Sequence, residues 1–248
     1  MKRKIFTLVV VLVVPVLLIG LTNTASAQFN YSGSIDLNGN ADGYLTGTGS
    51  WKDTGPTSLS WDVSWSGNVN DLVHYSYTFT VSHHDISHFT LELSDNFTDA
   101  DISNIKINGN YATSDKWDIQ TYNAGTAPHN TMPDNIYGIK FDTDESTTAT
   151  IEFDSTRLPE WGDFYARCGF RTEHNEGTSD WNSAWNTGFT VADTDPGNPP
   201  SSGSVDGTDY YSHILVPDTV VVPEPISSTL FIVGSGLLAG RRFMRRKK

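Results

Sequence analysis

Four short stretches hold the residue types that could do chemistry. His83, His84, Asp85 and His88 are the densest group of metal-type ligands. On a strand His84 and His88 would share a face, but zinc needs three or four converging donors and no third is supplied. Asp85-Ile86-Ser87 also has the composition of a bend, so this stretch reads as a polar turn. Asp142-Thr143-Asp144-Glu145 and Asp193-Thr194-Asp195-Pro196-Gly197-Asn198 are acidic turns whose carboxylate and carbonyl oxygens suit Ca²⁺. Neither completes an EF-hand loop, because Pro196 stands where a flexible residue belongs and no closing Glu follows. Asp142, Asp144, Asp193 and Asp195 are therefore calcium candidates with solvated turns as the default, and no other cofactor is expected. Glu160 and Asp163 are the nearest approach to the carboxylate pair of a glycosidase, with Trp161 between them as a sugar platform or a core residue. Among the seven tryptophans, Trp117, Trp181 and Trp185 fall in polar stretches that read as loops. They are the candidates for stacking on a pyranose ring, or else they pin those loops down.

The elements that must position these residues show a period of two. Leu59, Trp61, Val63 and Trp65 interleave with Ser60, Asp62, Ser64 and Ser66, and Tyr75, Tyr77, Phe79 and Val81 with Ser76, Thr78, Thr80 and Ser82. Such alternation marks half-buried strands. Shorter runs at Phe89/Leu91/Leu93, Ile105/Ile107, Tyr137/Ile139/Phe141, Ala149/Ile151/Phe153, Phe164/Ala166/Cys168 and Phe189/Val191 repeat it. Tyr31–Leu37 and Gly43–Trp51 are weaker strands. Turn pairs such as Asn38-Gly39, Asp42-Gly43 and Asn108-Gly109 separate them. The pattern predicts an all-β domain over 28–192, an antiparallel β-sandwich of jelly-roll-like type. Residues 112–135 and 173–185 read as loops, the first carrying one strand, and 193–221 reads as a Pro/Gly/Ser-rich linker. Cys168 is the single cysteine, so no internal disulfide forms, and its place in a strand makes it a small buried hydrophobe.

Both ends of the chain have a different character. Lys2, Arg3 and Lys4 precede an apolar run from Ile5 to Leu21, and Ala25-Ser26-Ala27 supplies the small residues of a cleavage site. Residues 1–27 are thus expected to be a secretory signal helix, cut after Ala27. At the other end Val222-Pro223-Glu224-Pro225 forms a stiff hinge. Ile226–Gly240 is apolar or small, and Arg241, Arg242, Arg245, Arg246, Lys247 and Lys248 close the chain. The apolar stretch is short of the about 20 residues that cross a bilayer, so the expected transmembrane helix runs over 226–244 with its arginines snorkelling. The basic end marks the cytoplasmic side.

At these residues the chain resembles the PEP-CTERM sorting tails of Gram-negative bacteria. The likeness rests on Pro223-Glu224-Pro225, one short span, and the basic end that begins with Arg241 and Arg242. It implies recognition by an exosortase, a membrane-embedded transpeptidase that cuts near the Pro-Glu-Pro and passes its substrate outwards. Asp85–Ile102 and Trp161–Cys168 are similar to uncharacterised exported proteins bearing the same tail, which implies a domain boundary and no activity.

Removing 1–27 and 223–248 leaves seven of the sixteen Lys and Arg but 28 of the 29 acids, a net charge of −21. A chain so acidic is unsuited to nucleic acid, whose phosphates need Lys and Arg. No Gly-x-Ser-x-Gly, P-loop or dinucleotide fingerprint occurs in 28–222. The sequence therefore leads to an exported, non-enzymatic protein of the cell surface or extracellular matrix. Its partners are the secretion machinery, the exosortase and, transiently, the inner membrane, and its role is structural or adhesive. A carbohydrate-binding module for extracellular polysaccharide is the alternative, and a matrix glycosidase using Glu160 and Asp163 the third.

Overall fold

The computed structural model describes residues 28–37, 44–53, 57–68, 71–125, 131–168, 182–189, 203–204 and 213–220. The signal segment 1–27, the sorting tail 222–248 with its span 226–244, Trp181, Asp193 and Asp195 lie outside the described residues. Among the described residues, no helix is long and apolar enough to cross a membrane.

Side chains leave a strand on alternate faces, so the period-two runs become strands with one buried edge. In β3 (Ser58–Trp65), Leu59, Trp61 and Val63 are at most 1% exposed while Ser60 and Asp62 face solvent. Partnered with it are β1 (Phe29–Asp36) on one side and β4 (Val73–Thr80) on the other. Beyond β4 come β10 (Thr148–Ser155), β6 (Ile102–Ile107) and the two-residue β7 (Asn110–Tyr111). The two-residue β14 (Gly203–Ser204) pairs parallel to β1 and completes a sheet of seven. Asn108 and Gly109 turn β6 into β7 with φ of 51° and 78°, the left-handed pair that a tight hairpin requires. Ile102 and Ile105 are an odd interval apart yet both are buried. Asn104, at φ 53°, sits where the pairing with β10 slips by one residue, and this bulge re-aims the strand.

The second sheet has six strands in the order β2 (Leu45–Gly47), β13 (Ser183–Asn186), β12 (Phe164–Cys168), β5 (Ile86–Glu92), β9 (Ile136–Ser146) and β8 (Trp117–Tyr122). The inward faces of the two sheets share one core. Tyr77 and Phe79 of β4 each lie 6.1 Å from Phe89 of β5, and Phe141 of β9 lies 6.0 Å from Phe153 of β10. Each such ring contributes about 1.5–3 kcal/mol by leaving water. The protein is predominantly β, its sheets are almost wholly antiparallel, and its described helices are one turn (α1, Ser50–Asp53) and one 3₁₀ turn at Asp99–Asp101.

Three expectations change at this level. Gly43–Trp51 is not one strand: β2 stops at Gly47, Gly49 turns at φ 57°, and Trp51 enters α1. There its indole Nε1 donates to the His83 carbonyl at 2.7 Å, tying α1 to the 82–85 bend. Asp142-Thr143-Asp144 is not a turn, because β9 continues through it to Ser146. Glu160 and Trp161 belong to β11 (Arg157–Gly162). The linker expected over 193–221 contains β15 (Ile214–Val220), whose Ile214, Leu215 and Val216 are fully buried against β11. Pro217 conceals this strand in the sequence. Pro159 and Pro217 face each other where the β11–β15 register slips, so neither interrupts a regular ladder.

A cleft on the outer face of the six-stranded sheet

Register brings scattered residues into rows across the outer face of the second sheet. One row runs Thr46, Trp185, Tyr165, Thr90, Lys140, Asp118, across all six strands from β2 to β8. The adjacent row is Ser183, Arg167, His88, Asp142. Over the middle lies a small second cluster of Met132, Ile136, Tyr165 and Phe189, with Tyr122 and Trp185 packed at its edge. Thr131 fastens this cover, its hydroxyl hydrogen-bonded to those of Tyr165 (3.2 Å) and Ser183.

Beside the cover a cleft of about 160 Å³ is lined by His88, Thr90, Tyr122, Asn123, Met132, Lys140, Tyr165 and Arg167. Its charged members are Lys140 and Arg167; no carboxylate lines it. Lys140 lies 3.5 Å from Asp118 and 3.3 Å from Asp142, which are its neighbours outside the lining. Burial, and then the charges of Lys140 and Arg167, push His88 down to about 4 against the opposing pull of Asp118. Its imidazole is therefore neutral at pH 7 and offers one donor and one acceptor. Burial raises the Tyr122 phenol above its ordinary range, and its hydroxyl donates to the Asp118 carbonyl at 3.0 Å. The Trp185 ring stacks on Tyr165 at 6.4 Å and 25°, half-buried, next to the cleft.

A second, larger cleft of about 530 Å³ is lined by Glu92, Asp95, Glu160 and Asp218 together with Thr121, Asn135, Tyr137 and Trp161. Its charged groups are all acids. Glu92 accepts the Asp163 backbone N–H at 2.9 Å through Oε2. Asp163 itself points into the interior, where Oδ1 accepts from Asn186 Nδ2 and lies 3.0 Å from His213 Nδ1. Glu160 thus borders a cleft while Asp163 supports the buried start of β15, and the structure does not bring them together as a pair.

The tryptophans divide in the same way. Trp117, expected in a loop, begins β8 opposite Phe141 and packs against the main core. Trp185, also expected in a loop, lies on β13 and faces outwards. Of the calcium candidates, Asp144 meets Lys116 at 2.7 Å and Asp142 meets Lys140. Among the described residues, no group of three or more His, Cys, Asp or Glu converges to hold a metal. His83 and His84 are exposed on the 82–85 bend, with His84 at φ 60°, while His88 belongs to the cleft.

The sequence reading passed over Tyr165, Arg167, Lys140 and Tyr122. No local signal singled them out, since outward positions of the other sheet also carry charges, such as Lys106, Glu152 and Asp154. No protein-family model matches the chain, and comparison with curated proteins and with solved structures finds no match either.

Proposed function

We propose that the exported chain is a cell-surface or matrix protein that holds extracellular polysaccharide in the cleft of His88, Thr90, Tyr122, Lys140, Tyr165 and Arg167. One observation supports this above the others: rings and hydrogen-bonding groups converge in one open depression on a rigid sheet. A sugar presents an apolar C–H face and a rim of hydroxyls, and such a ligand wants aromatic surface beside a few directed polar groups. Tyr122 and the neighbouring Trp185 supply the first; Asn123 and neutral His88 supply the second. No step of covalent chemistry is assigned to the cleft.

The two sheets fit a β-sandwich of jelly-roll type, since the chain crosses between them repeatedly, at β1/β2, β2/β3, β4/β5, β5/β6, β7/β8 and β9/β10. The basic-apolar-small pattern of 1–27 and the Pro-Glu-Pro tail of 222–248 support export, transient anchoring in the inner membrane and transfer outwards by an exosortase. Fractionating cells that carry the intact chain or one lacking 222–248 tests that route. Retention of both forms in the same compartment would remove the tail from the proposal.

The binding experiment uses residues 28–222, which contain both sheets and their common core, on immobilised plant and bacterial polysaccharides. Saturable binding that weakens in Trp185→Ala and Tyr122→Ala supports the reading. Absence of binding to every polymer would sink it and leave a passive structural role.

A further inference from the structure

We infer that the sugar this cleft selects is acidic, a uronate whose carboxylate lies between Arg167 and Lys140; the inference rests on the glycan reading above. The exported part of the chain holds seven basic residues against 28 acids. Two of those seven line one cleft, and no acid lines it with them. Elsewhere the field of a −21 domain repels a polyanion, and at this depression the two cations offset that repulsion locally. Register makes the pairing. His88 lies opposite Arg167 on β12, and Thr90, two residues on, lies opposite Lys140 on β9, so the two cations flank β5 from opposite sides.

The chemistry of the pair suits a carboxylate. A guanidinium presents a planar fork that matches the two oxygens of a carboxylate, and a charged hydrogen bond is roughly twice as strong as a neutral one. Both cations are half-buried, where salt screens them less than on an open surface. Asp118 and Asp142 hold Lys140 from outside the lining and so fix its position. Asn123 is exposed at the mouth, where a sugar's hydroxyls would lie, and Thr90 is buried beneath. The volume of about 160 Å³ is below the roughly 300–1,000 Å³ that encloses a drug-sized molecule. It suits one sugar residue at a chain end or branch.

The test compares polygalacturonate and alginate with their methyl esters, which keep the sugar ring and remove the charge. Residues 28–222 are expected to bind at least one free acid roughly 10- to 100-fold more tightly than its ester. Arg167→Gln and Lys140→Gln are each expected to cost about tenfold on the acid. Added salt should weaken the unmutated protein on the acid alone, a readout that survives if a variant fails to fold. Equal binding of acid and ester, with both variants unaffected, overturns the inference and leaves the glycan reading standing. Equal or tighter binding of dextran sulfate overturns it too, as a general response to polyanions. Failure to bind any polymer, neutral or acidic, overturns both.

Discussion

The two clefts share three strands, β5, β8 and β9, yet one is lined by cations and the other by acids. Tyr122 lines the cationic cleft and Thr121 the acidic one; Lys140 belongs to the first and Tyr137 to the second. Adjacent residues on β8, and residues an odd interval apart on β9, leave on opposite faces. One sheet can therefore carry two unrelated surfaces without either constraining the other's residues. The acidic cleft follows the average character of the chain and needs no ligand to account for it. The cationic cleft departs from that average, although each cleft has two lining rings, Tyr122 and Tyr165 in the first and Tyr137 and Trp161 in the second. Contrast with the background, rather than size, separates the two as places to look for function.

The sharpest way to break both at once is Gly138→Ala on β9. A Cβ at that position would meet the Leu91 carbonyl oxygen at 2.2 Å, so β5 and β9 would have to separate. A loss of about 3 kcal/mol or more is expected from a clash with backbone, read as a fall in the denaturant midpoint together with loss of glycan binding. Arg157→Ala comes next and acts only at the acidic end. That buried guanidinium holds Asp101 at 3.0 Å and also bonds Asn96, so its removal strands a partner and costs about 3–5 kcal/mol. Glycan binding by the folded fraction should be unchanged.

The same ion pair makes a prediction with acid. Burial alone would raise Asp101, but hydrogen bonds from Arg157, Thr156 and Thr98 outweigh it and hold its carboxyl at about 2. A carboxyl depressed in the folded state stabilises the fold above its unfolded value near 3.8. That contribution, on the order of 2 kcal/mol, is lost as the pH falls from there through 2. Acid titration of stability should show this loss in the intact chain and not in Asp101→Asn. His88 has the same sign from the opposite charge type. Its imidazole is depressed from 6.5 to about 4, so the unfolded chain takes up the proton first. Stability should decline as the pH drops from 6.5 towards 4, and His88→Gln should flatten that slope.

Trp185→Ala sharpens the comparison with a smaller effect. Loss of this half-buried ring beside the cleft is expected to cost roughly 1–2 kcal/mol of binding, about five- to thirtyfold, whereas Glu160→Gln in the acidic cleft should leave affinity unchanged. The reverse ranking would transfer the glycan site to the larger cleft. The smallest effect expected is at Lys116→Ala. Its contact with Asp144 is an exposed pair, and such pairs contribute little. Melting temperature and binding should both stay within error.

Much of the framework could be read directly from residue order. Leu59, Trp61 and Val63, then Tyr75, Tyr77 and Phe79, declare by alternation which side of each strand is core, and each is buried. Cys168 was legible as a packed side chain for the same reason. Failures occurred where a local signal was overruled by a distant partner. Pro217 and the polar run before it suggested a linker, but β15 is a strand because β11 accepts it and Tyr77 donates to the Leu215 carbonyl at 2.7 Å. Trp117 and Trp185 both sit in polar surroundings, and nothing local says that one turns to the core and the other to solvent.

Alternation and composition were enough to assign the all-β class, the inward faces and the acidic surface, because those depend on intervals of two residues and on simple counts. Which outward residues become neighbours was decided only by folding. The row from Thr46 through Trp185 and Tyr165 to Lys140 joins five strands by pairings far apart in the chain. Register over such separations is chosen by the packing of the whole core, since a slip of one residue would send every ring and cation to the other face.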